Sequence, residues 1–330
     1  MPPKTETVWM DGGFVPWDEA KVHVLAHGLH YGTSVFEGMR SYKTNDGPAI
    51  FRLEDHLRRL YRSAAFLYMS IPYRIEELAA VCRRAVAENG LDDCYVRPIA
   101  MYGLGGMNFS FRDNRVHVAV AAWPWGAYLG DEGMRRGIRL KTVSWIKTPA
   151  TAAPSAAKIA GNYVNSCLAY QEAMRAGFDE ALLLNVHGNI AEGTGENVFA
   201  VLNDALTTPP TTDHLVPGIT RDSVMRIARD VGYEVREASL NPADLLAADE
   251  VFLTGTAAEV TPVREIDYHA IGPGHAGPVT LEMQKAFFKA VRGELPQYRE
   301  WLSYVRVRAV PSSRAEEVRQ ASESVSANAK

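Results

Sequence analysis

A stretch rich in proline, glycine and aromatic residues, WPWGAYLGDEG at 123–133, divides this chain of 330 residues into two parts. Such a composition is typical of a connection rather than of a helix or a strand. Strand and helix patterns occur on both sides of it, and the length exceeds what one core usually organises. We therefore predict a small N-terminal α/β domain over residues 1–122, an interdomain loop over 123–133 and a large C-terminal α+β domain over 134–305.

The N-terminal part alternates short apolar stretches with turns. The turns contain glycine and aspartate, as in DGG at 11–13 and NDGP at 45–48, which indicates antiparallel strands. Apolar residues at helical spacing, followed by Pro72, predict a helix over 54–70. The predicted strands are 8–10, 23–25, 49–51, 94–101 and 116–122, and a second helix is predicted over 75–89.

The C-terminal part mixes strand and helix patterns, which predicts an α+β arrangement. Its predicted strands are 138–145, 180–186 and 197–202, and its predicted helices are 162–176, 220–231 and 280–292. Beyond residue 305 the sequence turns polar and rich in serine, alanine and glutamate. Such a composition cannot bury enough apolar surface to order a chain, so we predict a disordered tail over 306–330.

The composition narrows the classes of partner. The 35 lysines and arginines do not exceed the 39 aspartates and glutamates, so no basic excess indicates a nucleic-acid partner. No apolar run has the length of a membrane span, and the N-terminus lacks a signal-peptide core. Three widely spaced cysteines, Cys82, Cys94 and Cys167, argue against a disulfide framework. We predict a soluble cytoplasmic protein that binds small molecules, and neither nucleic acid nor membrane.

Two motifs fail their context tests. GPGHAG at 272–277 matches the dinucleotide pattern GxGxxG, but it contains a proline and no βαβ unit follows it. The group His23, His27 and His30 is broken by glycines and has no carboxylate or cysteine partner at ligand spacing. We therefore predict neither a dinucleotide site nor a metal site.

The segment around Lys158, AAKIAGNY, places a lysine among small residues. A lysine amine forms a Schiff base with an aldehyde cofactor when its neighbours lower its pKa, and small residues let a planar cofactor approach. Tyr163, five positions on, can donate a hydrogen bond to the ring oxygen of such a cofactor. The alternatives are a solvated surface lysine and a half-buried helix tyrosine.

A glycine-rich turn, EGTGENV, follows an apolar strand pattern and begins with Glu192. A carboxylate beside a pyridine nitrogen keeps that nitrogen protonated, and the ring then accepts electrons. Glu196 is an equal candidate on the residues alone, and a solvated turn carboxylate is the alternative reading of both.

Two further turns have the features of phosphate sites. PGITRDS at 217–223 leads into a helix with Thr220 as its predicted N-cap, and LTGTAAE at 253–259 is a second glycine and threonine turn. Free N–H groups at a helix start suit a phosphate dianion, and Arg59 would add a bidentate charge. The alternatives are ordinary helix capping and a solvated Arg59, since that residue points away from the apolar stripe of its helix.

Five separated blocks of sequence carry a resemblance to a known family. They are HYGTSVFEGMR at 30–40, YVRP at 95–98, WGAYLG at 125–130, AKIAGNY at 157–163 with EGTGENVF at 192–199, and LVPGITRD at 215–222 with residues 254–263. With them the chain resembles branched-chain aminotransferases over residues 9–305. The resemblance implies an α+β, two-domain fold type IV (D-amino acid aminotransferase-like) with the active site in the cleft between domains.

The resemblance implies pyridoxal 5′-phosphate as the cofactor. Lys158 would form the internal aldimine and then shuttle a proton between the substrate α carbon and the cofactor C4′ atom. Glu192, rather than Glu196, would hold the pyridine nitrogen, Tyr163 the ring oxygen and Arg59 the phosphate. The cofactor-binding residues implied in this way are Arg59, Tyr163, Glu192, Leu215, Ile219, Thr220 and Thr256.

The resemblance also implies one pocket for two kinds of side chain. Tyr95 and the backbone of Thr256 and Ala257 would bind the substrate carboxylate, and Arg97 would receive the distal carboxylate of glutamate. Apolar walls would accept leucine, isoleucine or valine. The substrate-binding residues implied are Tyr31, Phe36, Arg40, Tyr95, Arg97, Met107, Phe109, Trp125, Tyr128, Thr256 and Ala257.

The implied activity is ping-pong transamination between L-branched-chain amino acids and 2-oxoglutarate by a homo-oligomer. In this family the loop 103–114 reaches the neighbouring subunit's site. Phe109 stands there where a small aliphatic residue is common, so with Arg112 it bears on substrate range. Two alternatives are another reaction on the same fold (D-amino acid or (R)-amine transamination, or aminodeoxychorismate lysis) and a catalytically silent binding protein.

Overall fold

The computed structural model describes residues 3–126 and 129–305. The first part of the chain contains strands β1 (Thr7–Met10), β2 (Gly13–Pro16), β3 (Ser34–Phe36), β4 (Met39–Thr44), β5 (Gly47–Phe51), β6 (Cys94–Tyr102) and β7 (Val116–Pro124). Its helices are α1 (His27–Tyr31), α2 (Leu53–Phe66) and α3 (Ile75–Glu88).

The second part contains more strands and helices in alternation. Its strands are β8 (Ile138–Thr142), β9 (Glu180–Leu184), β10 (Ile190–Glu192), β11 (Asn197–Leu202), β12 (Ala205–Thr208), β13 (Glu234–Glu237), β14 (Glu250–Gly255), β15 (Glu259–Ile266), β16 (His269–Ala270) and β17 (Leu302–Tyr304). Its helices are α4 (Gly130–Arg136), α5 (Tyr163–Arg175), α6 (Ile219–Asp230), α7 (Pro242–Leu246) and α8 (Pro278–Val291).

Two sheets organise the chain. The first is antiparallel in the order β17-β5-β4-β6-β7-β1-β2, with β3 paired to β6. The second is mixed, in the order β10-β9-β8-β15-β14-β11-β12-β13, with β16 beside β15. Helices together with one antiparallel and one mixed sheet confirm the α+β prediction.

Helices α2 and α3 cover the first sheet because each carries an apolar stripe. Leu53, Leu57 and Leu60 of α2 recur at helical spacing and are fully buried with Leu78 of α3 against Val96 of β6. A second core lies between α6, α8 and the second sheet, where the rings of two buried phenylalanines stack with centroids 5.0 Å apart. These cores fix the two sheets whose facing ends carry the site residues.

The strand predicted over 23–25 is wrong. Those residues form a turn before α1 instead, where Val24 is 67% exposed and its carbonyl bonds His30 Nε2 at 2.8 Å. A stretch of three residues is too short to separate a strand from an exposed turn by pattern alone.

Other boundaries differ by a few residues. Helix α2 ends at Phe66 rather than at residue 70, because Tyr68 has φ of 51° and leaves the helix with its side chain exposed. Helix α4 begins inside the predicted interdomain loop, and β17 returns to pair with β5 of the first sheet. The domain boundaries stay a prediction, and the predicted tail over 306–330 lies outside the described residues.

Within the described part of the chain, each helix is too short or too polar to cross a bilayer.

Candidate active site

A cavity of about 410 Å³ lies where the two sheets approach each other. Its walls come from β3, α2 and β6 of the first part and from α5, β10 and α6 of the second. Twelve of the residues predicted for the site line it: Phe36, Arg59, Tyr95, Arg97, Trp125, Lys158, Tyr163, Glu192, Ile219, Thr220, Thr256 and Ala257. Residues far apart in sequence thus meet in one cavity of the size that binds a small molecule.

Lys158 is held at the backbone and presents its amine to the cavity. Its N–H donates to Ser63 Oγ at 3.0 Å, and its carbonyl accepts from Phe36 N at 3.2 Å. Burial lowers the pKa of Lys158 to about 8, and Arg59 adds to that effect against the attraction of Glu37. Burial therefore enlarges the neutral, nucleophilic fraction of this amine relative to that of an exposed lysine.

Tyr163 begins α5 and accepts a hydrogen bond from the Lys158 amine. Lys158 Nζ donates to Tyr163 Oη at 2.6 Å, and the tyrosine ring lies 4.8 Å from that of Phe36. Burial, reinforced by Glu192, raises the pKa of Tyr163, so its hydroxyl stays protonated. A donor hydroxyl next to an amine of lowered pKa suits a ring oxygen beside a carbonyl carbon.

Glu192 ends β10 and is buried, 4% exposed, so it is not a solvated turn residue. Its Oε2 accepts from Asn197 Nδ2 at 3.2 Å and from Val216 N at 3.0 Å, and its Oε1 forms an ion pair with Lys147. Three donors thus converge on Glu192, and a carboxylate is the type of group that holds a protonated pyridine nitrogen.

Glu196 also lines the cavity but has a different environment. It accepts a hydrogen bond from Gly195 N at 3.0 Å, and burial followed by the neighbouring charge of Glu180 raises its pKa well above the ordinary value. A protonated carboxyl group cannot serve as a counter-ion. The ion pair of Glu192 and the raised pKa of Glu196 therefore favour Glu192 as the residue for a cationic nitrogen.

The start of α6 faces the cavity with its backbone donors uncapped. Gly218, not Thr220, occupies the N-cap position, since Gly218 is extended (φ −68°, ψ 135°) while Thr220 is already helical. No side chain caps this helix end. This helix start therefore lacks a side-chain cap, and its free N–H groups suit an anion. Thr220 and Thr256 also line the cavity.

Arg59 is buried at the same end of the cavity, 7% exposed, so the solvated alternative is wrong. Its Nε and Nη2 donate to the two oxygens of Glu37 at 2.5 and 2.9 Å, and its Nη1 donates to Pro217 O at 2.8 Å. Glu37 also bonds His56 Nδ1 at 2.8 Å. Although burial favours a protonated Glu37, Arg59 holds the pKa of that carboxyl well below its usual range.

Aromatic side chains form the opposite end. The ring of Tyr95 lies 5.1 Å from that of Trp125, and the Arg97 guanidinium lies 4.7 Å from the Phe36 ring centroid. Arg97 Nη2 donates to Tyr95 Oη at 3.2 Å. Gly38 is required here because a Cβ on it would lie 1.7 Å from Tyr95 Oη. An apolar wall and one arginine thus share the same end of the cavity.

Two predicted residues lie behind the walls. Arg40 donates to the carbonyls of Trp125 at 2.9 Å and Ala257 at 3.3 Å and pairs with Glu259 at 3.4 Å, so it supports the lining from outside. Leu215 is buried but does not line the cavity.

Three other predicted residues lie on the exterior of this chain. Phe109 is 88% exposed, its ring is 5.7 Å from that of Tyr31, and Tyr31 Oη donates to Met107 O at 2.9 Å. Together Tyr31, Met107 and Phe109 form an exposed cluster outside the cavity lining. Tyr128 lies outside the described residues.

The histidines flagged in the sequence make other contacts. His27 is buried and bonds Thr33 Oγ1 at 2.7 Å and Asn108 O at 3.0 Å. Among the described residues, no group of three or more histidine, cysteine, aspartate or glutamate side chains is arranged to hold a metal ion.

Sequence reasoning missed two charged partners of the site, Glu37 and Lys147. Each is distant in sequence from the residue it pairs with, so no spacing rule connects them. Glu37 lies within one of the blocks that carry the resemblance, and that position was the available signal.

The family model and the relatives that match this chain are all aminotransferases. The model of the family described as Amino-transferase class IV matches residues 34–266. The branched-chain-amino-acid aminotransferase of Pseudomonas aeruginosa is 44% identical over 299 residues, covering 91% of this chain and 97% of that protein. The enzyme of that name from Escherichia coli strain K12 is 44% identical over 303 residues, covering 92% and 98%.

Solved structures agree. A branched-chain amino acid aminotransferase from E. coli superposes with a TM-score of 0.90 at 44% identity, covering 92% of this chain and all (100%) of that one. One from T.th., solved with pyridoxamine 5′-phosphate, gives a TM-score of 0.89 at 51% identity, covering 92% and 99%. A second T.th. structure, complexed with N-(5′-phosphopyridoxyl)-L-glutamate, gives 0.87 at 49% identity, covering 92% and 99%.

Proposed function

The chain belongs to the class IV aminotransferases, with their type IV fold, and on that premise we propose that it is a branched-chain-amino-acid transaminase. The reaction is transfer of the amino group between L-leucine, L-isoleucine or L-valine and 2-oxoglutarate in ping-pong order. The observation that carries it is a Lys158 amine of lowered pKa, bonded to Tyr163, in one cavity with the buried Glu192.

The cofactor is pyridoxal 5′-phosphate, which supplies an aldehyde and an electron-accepting ring. The donor set of the cavity fits it at each end. Glu192 suits the ring nitrogen, Tyr163 the ring oxygen and Lys158 the aldehyde carbon. The uncapped start of α6 with Arg59 suits the phosphate, because free N–H groups and a guanidinium both bind dianions.

Lys158 carries the chemistry in this proposal. Its neutral amine would hold the aldehyde carbon of the cofactor, and the same amine, when free, would serve as the base of the reaction. Acting first as base and then as acid, that amine would move the proton from the substrate α carbon to the cofactor C4′ atom. Tyr163 orients the amine for both steps through their 2.6 Å hydrogen bond.

The part of the cavity that we propose for the substrate can accept two kinds of substrate side chain. Phe36, Tyr95 and Trp125 offer apolar surface to a branched side chain. Arg97, stacked on Phe36, remains near enough to neutralise a distal carboxylate of glutamate without burying an unpaired charge against leucine.

We also propose a homo-oligomer in the cytoplasm. Tyr31, Met107 and Phe109 are predicted to bind substrate but form the exposed cluster outside this chain's own cavity. A second copy that accepts this cluster would place them at the neighbouring site. The described chain holds three free cysteines, which suits a reducing compartment.

The test is formation of L-glutamate from 2-oxoglutarate with L-leucine as donor. We expect turnover with L-leucine, L-isoleucine and L-valine, and loss of multiple turnover in Lys158→Ala. Turnover only with D-alanine or (R)-phenylethylamine would keep the fold and replace the reaction. Purified protein that binds no cofactor after reconstitution would favour a silent binding protein.

A further inference from the structure

A lysine outside every predicted motif contacts Glu192 from behind the site. Lys147 Nζ pairs with Glu192 Oε1, and the side chains are only 12% and 5% exposed. Lys147 does not line the 410 Å³ cavity, but it lines a small separate one with Tyr163 and Val216. The ion pair and a molecule in the main cavity can therefore coexist on opposite sides of one carboxylate.

The pair is fixed by the sheet. Lys147 N donates to Leu184 O at 2.7 Å at the end of β9, and Glu192 lies on β10, which pairs with β9. Burial opposes the charge of Lys147, yet the attraction of Glu192 and their hydrogen bond raise the lysine pKa. The other titratable groups that act on this pair are Arg59, Tyr163 and Glu196.

The acceptor capacity of Glu192 leaves room for one more donor. An ionised carboxylate offers about four acceptor positions. Lys147, Asn197 and Val216 supply three donors to them. One position remains for a donor on the cavity side, which is the number that a protonated ring nitrogen needs.

We propose that Lys147 is a positioning residue: the built-in counter-ion that keeps Glu192 ionised and oriented before the cofactor arrives. This proposal takes the identity of the cofactor from the proposed function. Its consequence is a competition, because Lys147 and the ring nitrogen are two cations on one carboxylate. Removing the lysine charge should therefore lower the stability of the cofactor-free protein more than that of the loaded protein. In the loaded protein the cofactor remains as a strong partner of Glu192.

Thermal unfolding with and without pyridoxal 5′-phosphate tests the competition. We expect Lys147→Met to lower the Tm of the cofactor-free protein by several degrees more than that of the loaded protein, so that loading gives a larger gain than in the wild type. Lys147→Arg should behave as the wild type. Lys43→Met breaks an exposed ion pair with Asp92 and is the control. It should leave the rise of Tm on cofactor loading as in the wild type.

A pH series on the cofactor-free protein tests the counter-ion itself. Without Lys147 the charge of Glu192 is buried without its ion-pair partner, so the Lys147→Met protein should be less stable than the wild type at neutral pH, and this difference should shrink in acid. The double variant with Glu192→Gln should lose this pH dependence and recover Tm, and it should fold even where Lys147→Met alone does not.

Equal losses of Tm in the free and loaded Lys147→Met proteins would overturn the proposal, as would a double variant no better than the single one. A wild type that shows no absorbance of bound cofactor would instead refute the proposed function. The pH series needs no cofactor and would still decide the role of Lys147.

Discussion

At the scale of single residues, the site depends on how burial changes the charge of a few side chains. Lys158 and Lys147 are both lysines in buried surroundings, but their pKa values move in opposite directions. Burial acts to lower the pKa of both lysines. At Lys158 it prevails, whereas at Lys147 the attraction of Glu192 and their hydrogen bond together outweigh it and raise the pKa. One lysine thus becomes a nucleophile and the other stays a cation.

The lowered pKa of Lys158 predicts the pH dependence of cofactor attachment. Only the neutral amine attacks an aldehyde, so the attachment rate constant should rise about tenfold per pH unit at low pH and level off above about 8. Stopped-flow absorbance at fixed pyridoxal 5′-phosphate measures it. Pyridoxal, which lacks the phosphate, is the control and should show the same inflection. A rate that still rises tenfold per unit beyond pH 9.5 would contradict the account.

Residue types predicted part of this site. Lys158 and Tyr163 were predicted from a local pattern of glycines and small residues, whereas only the resemblance to a family separated Glu192 from Glu196. Their charged partners were not, since Lys147 and Glu192 are brought together only by the pairing of β9 with β10 and the segment beside it. Burial of Arg59 was likewise invisible on a helical wheel, because its partner Glu37 comes from another element.

At the scale of elements, the start of α6 is connected to Glu192, so the two ends of the proposed cofactor site depend on each other. Asn197 Nδ2 donates both to Glu192 Oε2 and to Val216 O, at 3.2 and 3.0 Å, just before the helix begins at Ile219. Gly218 leaves no room for a side chain, since a Cβ there would lie 2.0 Å from Asn197 Oδ1.

We therefore expect Gly218→Ala to weaken cofactor binding about tenfold, on the order of 1.4 kcal/mol, because Asn197 must move and release Glu192. Equilibrium titration by absorbance measures the dissociation constant. Gly13→Ala is the matched control, because a Cβ on Gly13 meets nothing within 4 Å. Unchanged affinity in Gly218→Ala would show that Asn197 does not hold the site.

Helices were predicted better than short strands. The apolar stripes of α2 and α3 span four turns each and determine a periodicity, whereas residues 23–25 offered three positions and were assigned wrongly. The glycines and proline of residues 123–133 indicated a loop, but helix α4 begins there. It packs against β15, and this packing outweighs the low helix propensity of the stretch.

At the scale of the whole molecule, the sheets join distant parts of the chain. Strand β17 at the C-terminal end pairs with β5, so the first sheet is not built from the N-terminal half alone. Such long-range pairing leaves no local pattern, and topology was therefore available only through the resemblance to a family.

The exposed cluster predicts a functional oligomer. We expect the protein to sediment as a dimer or larger, and Phe109→Ser to raise the KM for L-leucine severalfold while cofactor affinity stays unchanged, because Phe109 is outside this chain's cavity. Tyr68→Ser, which replaces another exposed aromatic, is the control. A fully active monomer would contradict the prediction.

The most direct test of the central claim is a single half-reaction. Cofactor-loaded protein is mixed with L-leucine alone, and the absorbance of the bound cofactor is followed. We predict full conversion from the lysine-bound aldehyde form to the amine form, with one 2-oxo acid released per cofactor and none in Lys158→Ala. An unchanged spectrum with L-leucine, but conversion with a D-amino acid or an (R)-amine, would contradict it.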